Sequence, residues 1–293
     1  MPKIEISDLS VDYKTSHGNI HALENVEFQL EDGESIGIAG ESACGKSTLG
    51  LSIIRMIQGG NIVSGKITFM GESILDMPES KFDESIRWKE ISMIFQGAMN
   101  SLDPVFTIQQ QFDEVLKQHG FDSNADKIIR DVIHAVNLDY SVLEKYPHEL
   151  SGGMKQRIVI AMALLLKPKF VIADEPTTAV DVLVQAKIIN LLKNLKKKGM
   201  SLMLISHDLA ILSEVAEKIG IIYGGKMVEF GTSSEIFRNP KHPYTQGLLN
   251  SIPTLRKEKK LKFITGSPPD LSDTKPGCRF FDRCPEAMDK CKT

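Results

Sequence analysis

The first forty residues alternate between apolar and polar positions in short runs. Residues 3–7 and 26–30 place an apolar side chain at every second position, which is the pattern of a strand with one buried face. These runs predict strands of an antiparallel layer. The next run, Ser35–Ala39, is short and mostly apolar, and it predicts a buried central strand.

Helical and strand patterns alternate through most of the remaining chain. Apolar residues on a helical period predict helices over residues 46–56, 109–117, 125–136 and 182–198. Short apolar runs predict buried strands over residues 91–95, 170–173 and 202–206. Strands that alternate with helices indicate an α/β fold with a mainly parallel sheet, here with a helical insert between residues 97 and 165.

Turn residues and composition mark further boundaries. Gly224 and Gly225 separate the short runs 221–223 and 226–228, which predicts a hairpin. After about residue 232 the chain is rich in Pro, Lys and Ser. We therefore expect one domain over residues 1–235 and an appended segment over residues 236–293, which we call the tail.

The overall composition narrows the class of protein. The chain has 293 residues, of which 42% are hydrophobic and 25% charged, as in an ordinary globular protein. Its formal net charge of −3 argues against a dedicated nucleic-acid binder, which needs basic residues to neutralise phosphates. No apolar run approaches the roughly 18 residues needed to span a bilayer, and the N-terminus lacks the pattern of a secretory signal. We expect a cytosolic protein whose membrane role needs partner subunits.

A glycine-rich loop joins the strand predicted at Ser35–Ala39 to the helix predicted from Lys46. Its sequence from Gly40 to Ser47, Gly-Glu-Ser-Ala-Cys-Gly-Lys-Ser, fits the pattern G-x-x-x-x-G-K-[ST]. Glycines let successive N–H groups point at a phosphate, and the helix N-terminus adds positive potential. Lys46 would reach the β- and γ-phosphates, and Ser47 would offer its hydroxyl to Mg²⁺. The flanking strand and helix favour a triphosphate site over a chance match.

Polar residues follow two of the predicted buried strands. Asp174 and Glu175 end the first of these strands and His207 follows the second, at the edge of a parallel sheet where ligands gather. Asp174 is suited to hold Mg²⁺, and Glu175 to accept a proton from an attacking water or to orient it. A solvated acidic turn and a structural histidine are the alternatives, and the phosphate loop upstream favours the functional interpretation.

Further motifs resemble those of the ATP-binding-cassette (ABC) ATPase superfamily. Residues 150–156 read Leu-Ser-Gly-Gly-Met-Lys-Gln, which is the signature sequence of that superfamily. Gln96 matches its glutamine loop, residues 179–181 (Ala-Val-Asp) match its D-loop, His207 matches its switch histidine, and Tyr13 its adenine-stacking aromatic. The resemblance covers about residues 1–235. It implies a P-loop NTPase fold of the α/β class, with a RecA-like core, an antiparallel β subdomain, a helical subdomain and a C-terminal Cys-containing extension.

The resemblance also implies a role for each matching residue. Two such domains would clamp ATP between the phosphate loop of one and the signature of the other. The implied nucleotide-binding residues are Tyr13, Gly40, Glu41, Ser42, Ala43, Cys44, Gly45, Lys46, Ser47, Thr48, Gln96, Ser151, Gly152, Gly153, Asp174 and Asp181. Ser47, Gln96 and Asp174 would hold Mg²⁺, and Glu175, His207 and Gln96 would serve hydrolysis.

The spacing of the motifs and the tail distinguish among branches of the superfamily. About 105 residues without a heptad pattern separate Lys46 from Ser151, so the coiled-coil chromosome ATPases are excluded, and a single set of motifs excludes the two-unit translation factors. Residues 239–249 and the cysteine-bearing end resemble the oligopeptide/dipeptide/nickel importer branch. That resemblance implies an ATPase that powers peptide import; nickel or oligosaccharide import and a mainly regulatory nucleotide-sensing or cluster-sensing subunit are the alternatives.

Three cysteines are clustered in the tail. Members of this branch can hold a [4Fe–4S] cluster on four cysteines there, and Cys278, Cys284 and Cys291 supply three. The resemblance implies a fourth ligand further on, which this sequence does not contain. A zinc site with another donor and free thiols are the alternatives. Cys44, within the phosphate loop, is expected to be a spacer, with an oxidisable thiol as the alternative.

The branch also implies partners and a location. We expect two transmembrane permease subunits, bound near residues 96–106. A second ATPase subunit is expected to be homologous but different, which gives a heterodimer. An extracytoplasmic solute-binding protein would act through the permeases, and nucleic acid is not an expected partner. The chain would lie peripherally on the cytoplasmic face of the membrane.

Overall fold

Two compact units divide the chain. One unit comprises Met1–Asp76 and Met203–Thr293, and the other Met77–Leu202. The structure, a computed structural model, describes residues 3–16, 18–121, 124–178, 180–251, 264–272 and 276–293. Each unit is described by itself below.

The strands of the described residues follow one another in this order: β1 (Ile4–Thr15), β2 (Gly18–Leu30), β3 (Ser35–Ala39), β4 (Gly60–Phe69), β5 (Glu72–Ser73), β6 (Ile91–Ile94), β7 (Phe170–Asp174), β8 (Ser201–Ile205), β9 (Lys218–Tyr223) and β10 (Lys226–Thr232). The α-helices are α1 (Lys46–Ile53), α2 (Glu79–Ser85), α3 (Ile108–Gln118), α4 (Ala125–Ala135), α5 (Gly152–Leu164), α6 (Val182–Lys197), α7 (Leu209–Val215), α8 (Ser233–Arg238) and α9 (Pro243–Asn250).

The first unit contains the predicted antiparallel layer. Its strands have the order β2-β1-β4-β5, and β1 pairs antiparallel with both β2 and β4. The alternation seen in the sequence places Ile4 and Ile6 of β1 in the core, because successive side chains of a strand point to opposite faces. A register shift between Ile6 and Leu9 changes the phase, so that Leu9 and Val11 are the buried residues beyond it. The prediction of antiparallel strands in this region is confirmed.

A second group of strands in the same unit has the order β10-β9-β3-β8. Every residue of β3 is buried, as its apolar run predicts, and β3 pairs parallel with β9. Strands β9 and β10 form the predicted hairpin. Its turn uses Gly224 and Gly225 with φ of 54° and 82°, the conformation that glycine adopts without strain.

In the second unit, β6 pairs parallel with β7. Helix α5 is apolar on nearly all sides, so Ile158, Ile160 and Ala161 are fully buried, which is typical of a helix enclosed by other elements. In the described part of the chain, no helix has both the length and the apolarity to cross a bilayer.

Strands β1 and β2 extend well beyond the predicted runs 3–7 and 26–30, and two further differences from the sequence-based expectation have a local cause. Helix α1 ends at Ile53, three residues before residue 56, because Arg55 takes a left-handed conformation with φ of 57°. Residues 233–250 form α8 and α9, where the composition indicated only an appended segment. A capping box between Thr232 and Glu235 begins α8, and Pro243 in the first turn of α9 follows the cap His242.

Candidate functional site

The phosphate loop runs from Gly40 to Ser47 and leads from β3 into α1. At Gly40, with φ of 154°, a side chain would meet the Ile222 carbonyl oxygen and, at 2.7 Å, the Cys44 sulfur. At Gly45, with φ of 104°, it would meet the Ala22 carbonyl oxygen. Both positions therefore require glycine for conformation and for space. The surrounding backbone fixes the shape of the loop.

Lys46 lies inside this loop and is only 8% exposed. Its ammonium donates to the carbonyl oxygens of Gly40 at 2.9 Å and Glu41 at 2.7 Å, and it lies 3.7 Å from the Cys44 sulfur. A buried ammonium is stable only when such acceptors surround it. The loop thus holds a positive charge at the N-terminus of α1, where a phosphate would also meet helix N–H groups.

Tyr13 and Thr48 extend this arrangement to the antiparallel layer. The Tyr13 hydroxyl lies 3.4 Å from the Thr48 hydroxyl, within hydrogen-bond distance, and Tyr13 pairs with Ile20 in the register of β1 and β2. Ile20 and residues 41–44 of the loop line a cavity of about 320 Å³, together with Pro268–Leu271 of the tail. The sequence-predicted adenine-stacking residue and the phosphate loop are therefore brought together within the first unit.

Cys44 is buried within the loop. Burial raises the pKa of the Cys44 thiol above its ordinary value, although the nearby Lys46 ammonium acts in the opposite direction. A raised pKa leaves less of the reactive thiolate. The alternative of an acidified, oxidisable thiol at this position is therefore wrong.

Two side chains of the tail contact the second loop residue, Glu41. The Glu41 N–H donates to the Tyr244 hydroxyl at 2.9 Å, and the Arg283 guanidinium donates to both Glu41 carboxylate oxygens. Sequence analysis assigned no role to Tyr244 or Arg283. They lie 203 and 242 residues from Glu41 along the chain, and no local periodicity carries information over that distance.

In the second unit, β7 ends in the predicted acidic pair. Asp174 is 2% and Glu175 8% exposed, and Glu175 takes a left-handed conformation with φ of 48°. The Gln156 amide of α5 donates to the Pro176 carbonyl oxygen at 2.7 Å, which ties the turn after the acidic pair to α5. Burial of a carboxylate is costly without a compensating charge or hydrogen bonds, and a bound cation would offset part of that cost.

The signature residues begin α5. The Ser151 side chain accepts a hydrogen bond from the Met154 N–H at 3.3 Å and caps the helix. Ser151 and Gly152 are exposed, whereas a side chain at Gly153 would lie only 2.7 Å from Val184 of α6. The helix N-terminus is therefore open to solvent on one side and closely packed on the other.

Asp181 of the predicted D-loop caps α6, because its carboxylate accepts from the Val184 N–H at 2.9 Å. Ala179 of the same motif lies outside the described residues. Gln96 is exposed two residues after the end of β6, and His207 is exposed two residues after β8. These positions agree with the ends of strands at which the sequence placed them. The roles assigned to these residues stay predictions.

The cysteine-bearing end of the tail is closed by a backbone hydrogen bond from the Cys278 N–H to the Cys291 carbonyl oxygen, 2.8 Å long. Burial, and to a smaller degree the other two cysteines, raise the pKa of the Cys284 thiol. Among the described residues, no three His, Cys, Asp or Glu side chains are grouped so that they could hold a metal ion. The three cysteines therefore do not fit a complete cluster site, and the expected iron–sulfur cluster receives no support.

Comparison with known proteins gives two family matches. The family model described as "ABC transporter" matches residues 23–178. The family model described as "Oligopeptide/dipeptide transporter, C-terminal region" matches residues 228–291. The chain is 41% identical to the dipeptide transport ATP-binding protein DppD of Caldanaerobacter subterraneus subsp. tengcongensis, over 99% of this chain and 90% of the relative. It is 40% identical to the oligopeptide transport ATP-binding protein OppD of Salmonella typhimurium, over 98% and 88%.

A solved structure is similar in fold. It is the dimeric ATP-binding cassette MJ0796 in a post-hydrolysis state bound to ADP and Pi, with a TM-score of 0.70 and 26% sequence identity. The similarity covers 78% of this chain and 98% of the cassette chain. The P-loop NTPase fold expected from the motifs is thereby confirmed.

Proposed function

The chain belongs to the ABC transporter family, and on that premise we propose that it is the ATP-hydrolysing subunit of an importer of oligopeptides or dipeptides. The observation that carries this proposal is the 41% identity to a dipeptide transport ATP-binding protein, which extends over 99% of the chain and includes the tail. The ATPase activity follows from the family.

The phosphate loop supplies the binding side of the proposed reaction. Lys46, buried in the loop beside two carbonyl oxygens, would exchange these partners for the β- and γ-phosphates. The family motifs imply that Ser47, Asp174 and Gln96 would hold Mg²⁺, which would supply neutralisation of the phosphate charge. Tyr13 stacks on the adenine. These residues bind and orient ATP, and positioning of this kind accounts for much of phosphoryl-transfer catalysis.

Glu175 serves the water that attacks the γ-phosphate. Its buried carboxylate would accept the proton of that water or orient the water, and the matching family motif implies a role in hydrolysis for His207 as well. The exposed Ser151 and Gly152 at the start of α5 bind the ATP held by a second ATPase chain. A helix N-terminus with open N–H groups is suited to that task.

Replacement of Glu175 tests this assignment. In the assembled transporter, Glu175→Gln should reduce phosphate release about 100-fold or more, because general-base catalysis contributes on that order, while ATP binding persists. Glu114→Gln, at an exposed position of α3, is the matched control and should leave both unchanged. Phosphate release close to that of the unmodified protein from Glu175→Gln would show that another group activates the water.

The cargo and the partners need a separate experiment. Two permeases, a different ATPase chain and an extracytoplasmic binding protein are proposed partners. Tandem-affinity purification from the native membrane should recover all four in fixed ratio, and vesicles containing the complex should accumulate a labelled dipeptide only with internal ATP. Recovery of a homodimer of this chain would contradict the heterodimer. Uptake of nickel or an oligosaccharide instead of the dipeptide would contradict the peptide cargo.

We also propose that Cys278, Cys284 and Cys291 bind iron–sulfur when a fourth donor joins them. The proposal rests on the spacing of these three cysteines in the sequence. Anaerobic purification followed by visible absorption and metal analysis should show bound iron and sulfide. Colourless protein without iron would contradict the cluster, and stoichiometric zinc would favour the zinc alternative.

A further inference from the structure

We propose that Arg283 of the tail is a positioning residue of the phosphate loop, and that the affinity for ATP depends on its ion pair with Glu41. The inference rests on the proposed function, because it takes the loop to be the binding site for the phosphates of ATP. It adds a residue from outside every nucleotide motif to the machinery that shapes that site.

The ion pair is bidentate and partly desolvated, with the Glu41 side chain 24% exposed. The two guanidinium nitrogens Nη1 and Nη2 of Arg283 lie 2.8 and 3.0 Å from Oε2 and Oε1 of Glu41. The Arg283 side chain is 7% exposed. Two parallel charge-assisted hydrogen bonds fix the orientation of both groups. The hydrogen bond from Arg283 to Glu41 raises the pKa of the guanidinium, so the cation persists at every physiological pH.

Arg283 is itself held rigidly. Its Nε donates to the Thr265 carbonyl oxygen at 2.9 Å, and Nη1 lies 3.2 Å from the Tyr223 hydroxyl. The guanidinium also lies over the Tyr223 and Phe280 rings, at 5.6 and 6.0 Å from their centroids. A planar cation held on aromatic faces loses little further freedom when it binds a carboxylate. The loop residue Glu41 thus meets a preorganised partner.

The same loop residue is connected to Lys46. The Glu41 carbonyl oxygen accepts from the Lys46 ammonium at 2.7 Å, and the Glu41 N–H donates to the fully buried Tyr244 hydroxyl. The tail therefore holds the side chain and the N–H of Glu41, while its carbonyl holds the lysine that would bind phosphate. Displacement of Glu41 would change where the Lys46 ammonium rests.

The positive charge of Arg283 has a second effect on ATP binding, because it neutralises Glu41. Glu41 places a negative charge inside a loop that binds a polyanion, and without Arg283 this carboxylate would repel the phosphates. Removal of the Arg283 charge alone should therefore lower the affinity for ATP more than removal of the Arg283 and Glu41 charges together. Glu41→Gln in the Arg283→Gln background should restore part of the lost affinity, which a purely architectural role for Arg283 would not predict.

The tail offers a matched control, Arg279. Its side chain is 5% exposed and pairs with Glu24 of β2 and with the Gly224 carbonyl oxygen. Arg279 therefore attaches the same tail segment to the same unit through an ion pair in which the arginine is buried, but its partners lie outside the phosphate loop. Arg279→Gln measures the cost of loosening the tail alone.

The experiment compares KM for ATP, kcat and the thermal unfolding temperature in the assembled transporter. Arg283→Gln should raise KM about tenfold with a small change in kcat, since hydrogen bonds to charged groups have that magnitude. Arg283→Lys, which keeps the charge and loses the bidentate contact, should raise KM about threefold. The double variant with Glu41→Gln should return KM to within about threefold of the unmodified protein. Arg279→Gln should lower the unfolding temperature but keep KM within about twofold.

Three outcomes would overturn the inference. Equal increases in KM for Arg283→Gln and Arg279→Gln would reduce Arg283 to an anchor of the tail. A double variant no better than Arg283→Gln would remove the role of charge. An unchanged KM in Arg283→Gln would remove the positioning role. Lys46→Ala is measured in parallel. If that variant binds ATP normally, the proposed function of the loop fails first, which distinguishes the two failures.

Discussion

Two glycine-bearing helix N-termini of this protein are built in opposite ways. The phosphate loop precedes α1, and its Gly40 and Gly45 each lie against backbone of neighbouring strands or loops. The signature begins α5, and among the described residues a side chain at Gly152 would have only the Met99 sulfur within 4 Å, at 3.8 Å. The first is enclosed by its own unit, whereas the second is exposed.

The difference also extends to the way each terminus is capped. Gly45, in a left-handed conformation, precedes α1 and has no side chain with which to cap it, so the first N–H groups are left for a ligand. The Ser151 side chain accepts one N–H of α5 and leaves the exposed edge for others. The comparison indicates that an enclosed helix N-terminus is suited to a ligand whose contacts all come from its own chain. An exposed helix N-terminus is suited to a ligand that is already bound to another chain.

The largest effect on stability should come from alanine at Gly45 of the enclosed terminus, and alanine at Gly152 of the exposed terminus is the matched substitution. Gly45→Ala should destabilise the protein by about 3 kcal/mol or more, because the left-handed φ is strained and the side chain would clash. Gly152→Ala should change stability by less than about 0.5 kcal/mol, but it should reduce ATPase activity in the assembled transporter. Chemical denaturation checks both. Equal losses of unfolding free energy for Gly45→Ala and Gly152→Ala would contradict the difference between the two helix N-termini.

A smaller effect is expected where the tail holds the loop. Tyr244→Phe removes the buried hydroxyl that accepts from the Glu41 N–H and should cost about 1–3 kcal/mol of unfolding free energy. Tyr140→Phe, at an exposed tyrosine, is the control and should cost less than about 0.5 kcal/mol. Indistinguishable unfolding midpoints for the two variants would mean that the tail does not support the loop.

The cap of the exposed terminus should matter less. Ser151→Ala removes one helix cap and should cost about 1 kcal/mol. Ser85→Ala is the control, because its hydroxyl donates to the Lys81 carbonyl oxygen within α2 and caps no N–H. A loss for Ser151→Ala as large as that for Gly45→Ala would contradict the view that this terminus is open.

The smallest effect concerns thiol chemistry within the enclosed loop. The pKa of Cys44 is raised by burial above its ordinary value of 9.0, so at about pH 7.5 the folded protein holds less thiolate than the unfolded one. Iodoacetamide should therefore modify Cys44 at least about tenfold more slowly in the folded protein. The rate should begin to level off only above the ordinary thiol pKa. Peptide mass mapping measures it, and rapid modification at neutral pH would show that the loop is open.

Local patterns predicted those parts of the fold that depend on neighbours in sequence. Strands β3, β6, β7 and β8 agree with their apolar runs to within one residue at each end, because a buried strand excludes polar side chains along its whole length. The turn at Gly224 and Gly225 was predictable because its conformation favours glycine. Helix α1 was predicted too long, since the sequence did not reveal the left-handed Arg55.

The candidate site was predictable to the extent that its motifs are contiguous. The residues of the phosphate loop and the signature stand side by side in the sequence, so their types and spacing can be recognised. Tyr244 and Arg283 reach Glu41 from more than 200 residues away, through a tail whose helices α8 and α9 the composition did not indicate. Tertiary packing alone assembles these contacts, and single-sequence periodicity does not contain them.

Because the tail contacts the phosphate loop, the tail and the rest of the chain cannot be exchanged independently between relatives. The Tyr223 ring ends β9 and packs against the tail rings of Tyr244 and Phe280, at centroid distances of 4.5 and 5.0 Å. A chimera that takes its tail from a relative would keep a native phosphate loop only if the grafted segment met Glu41 and Tyr223 with the same partners. In evolution, a substitution in the loop at Glu41 would require a matching substitution in the tail.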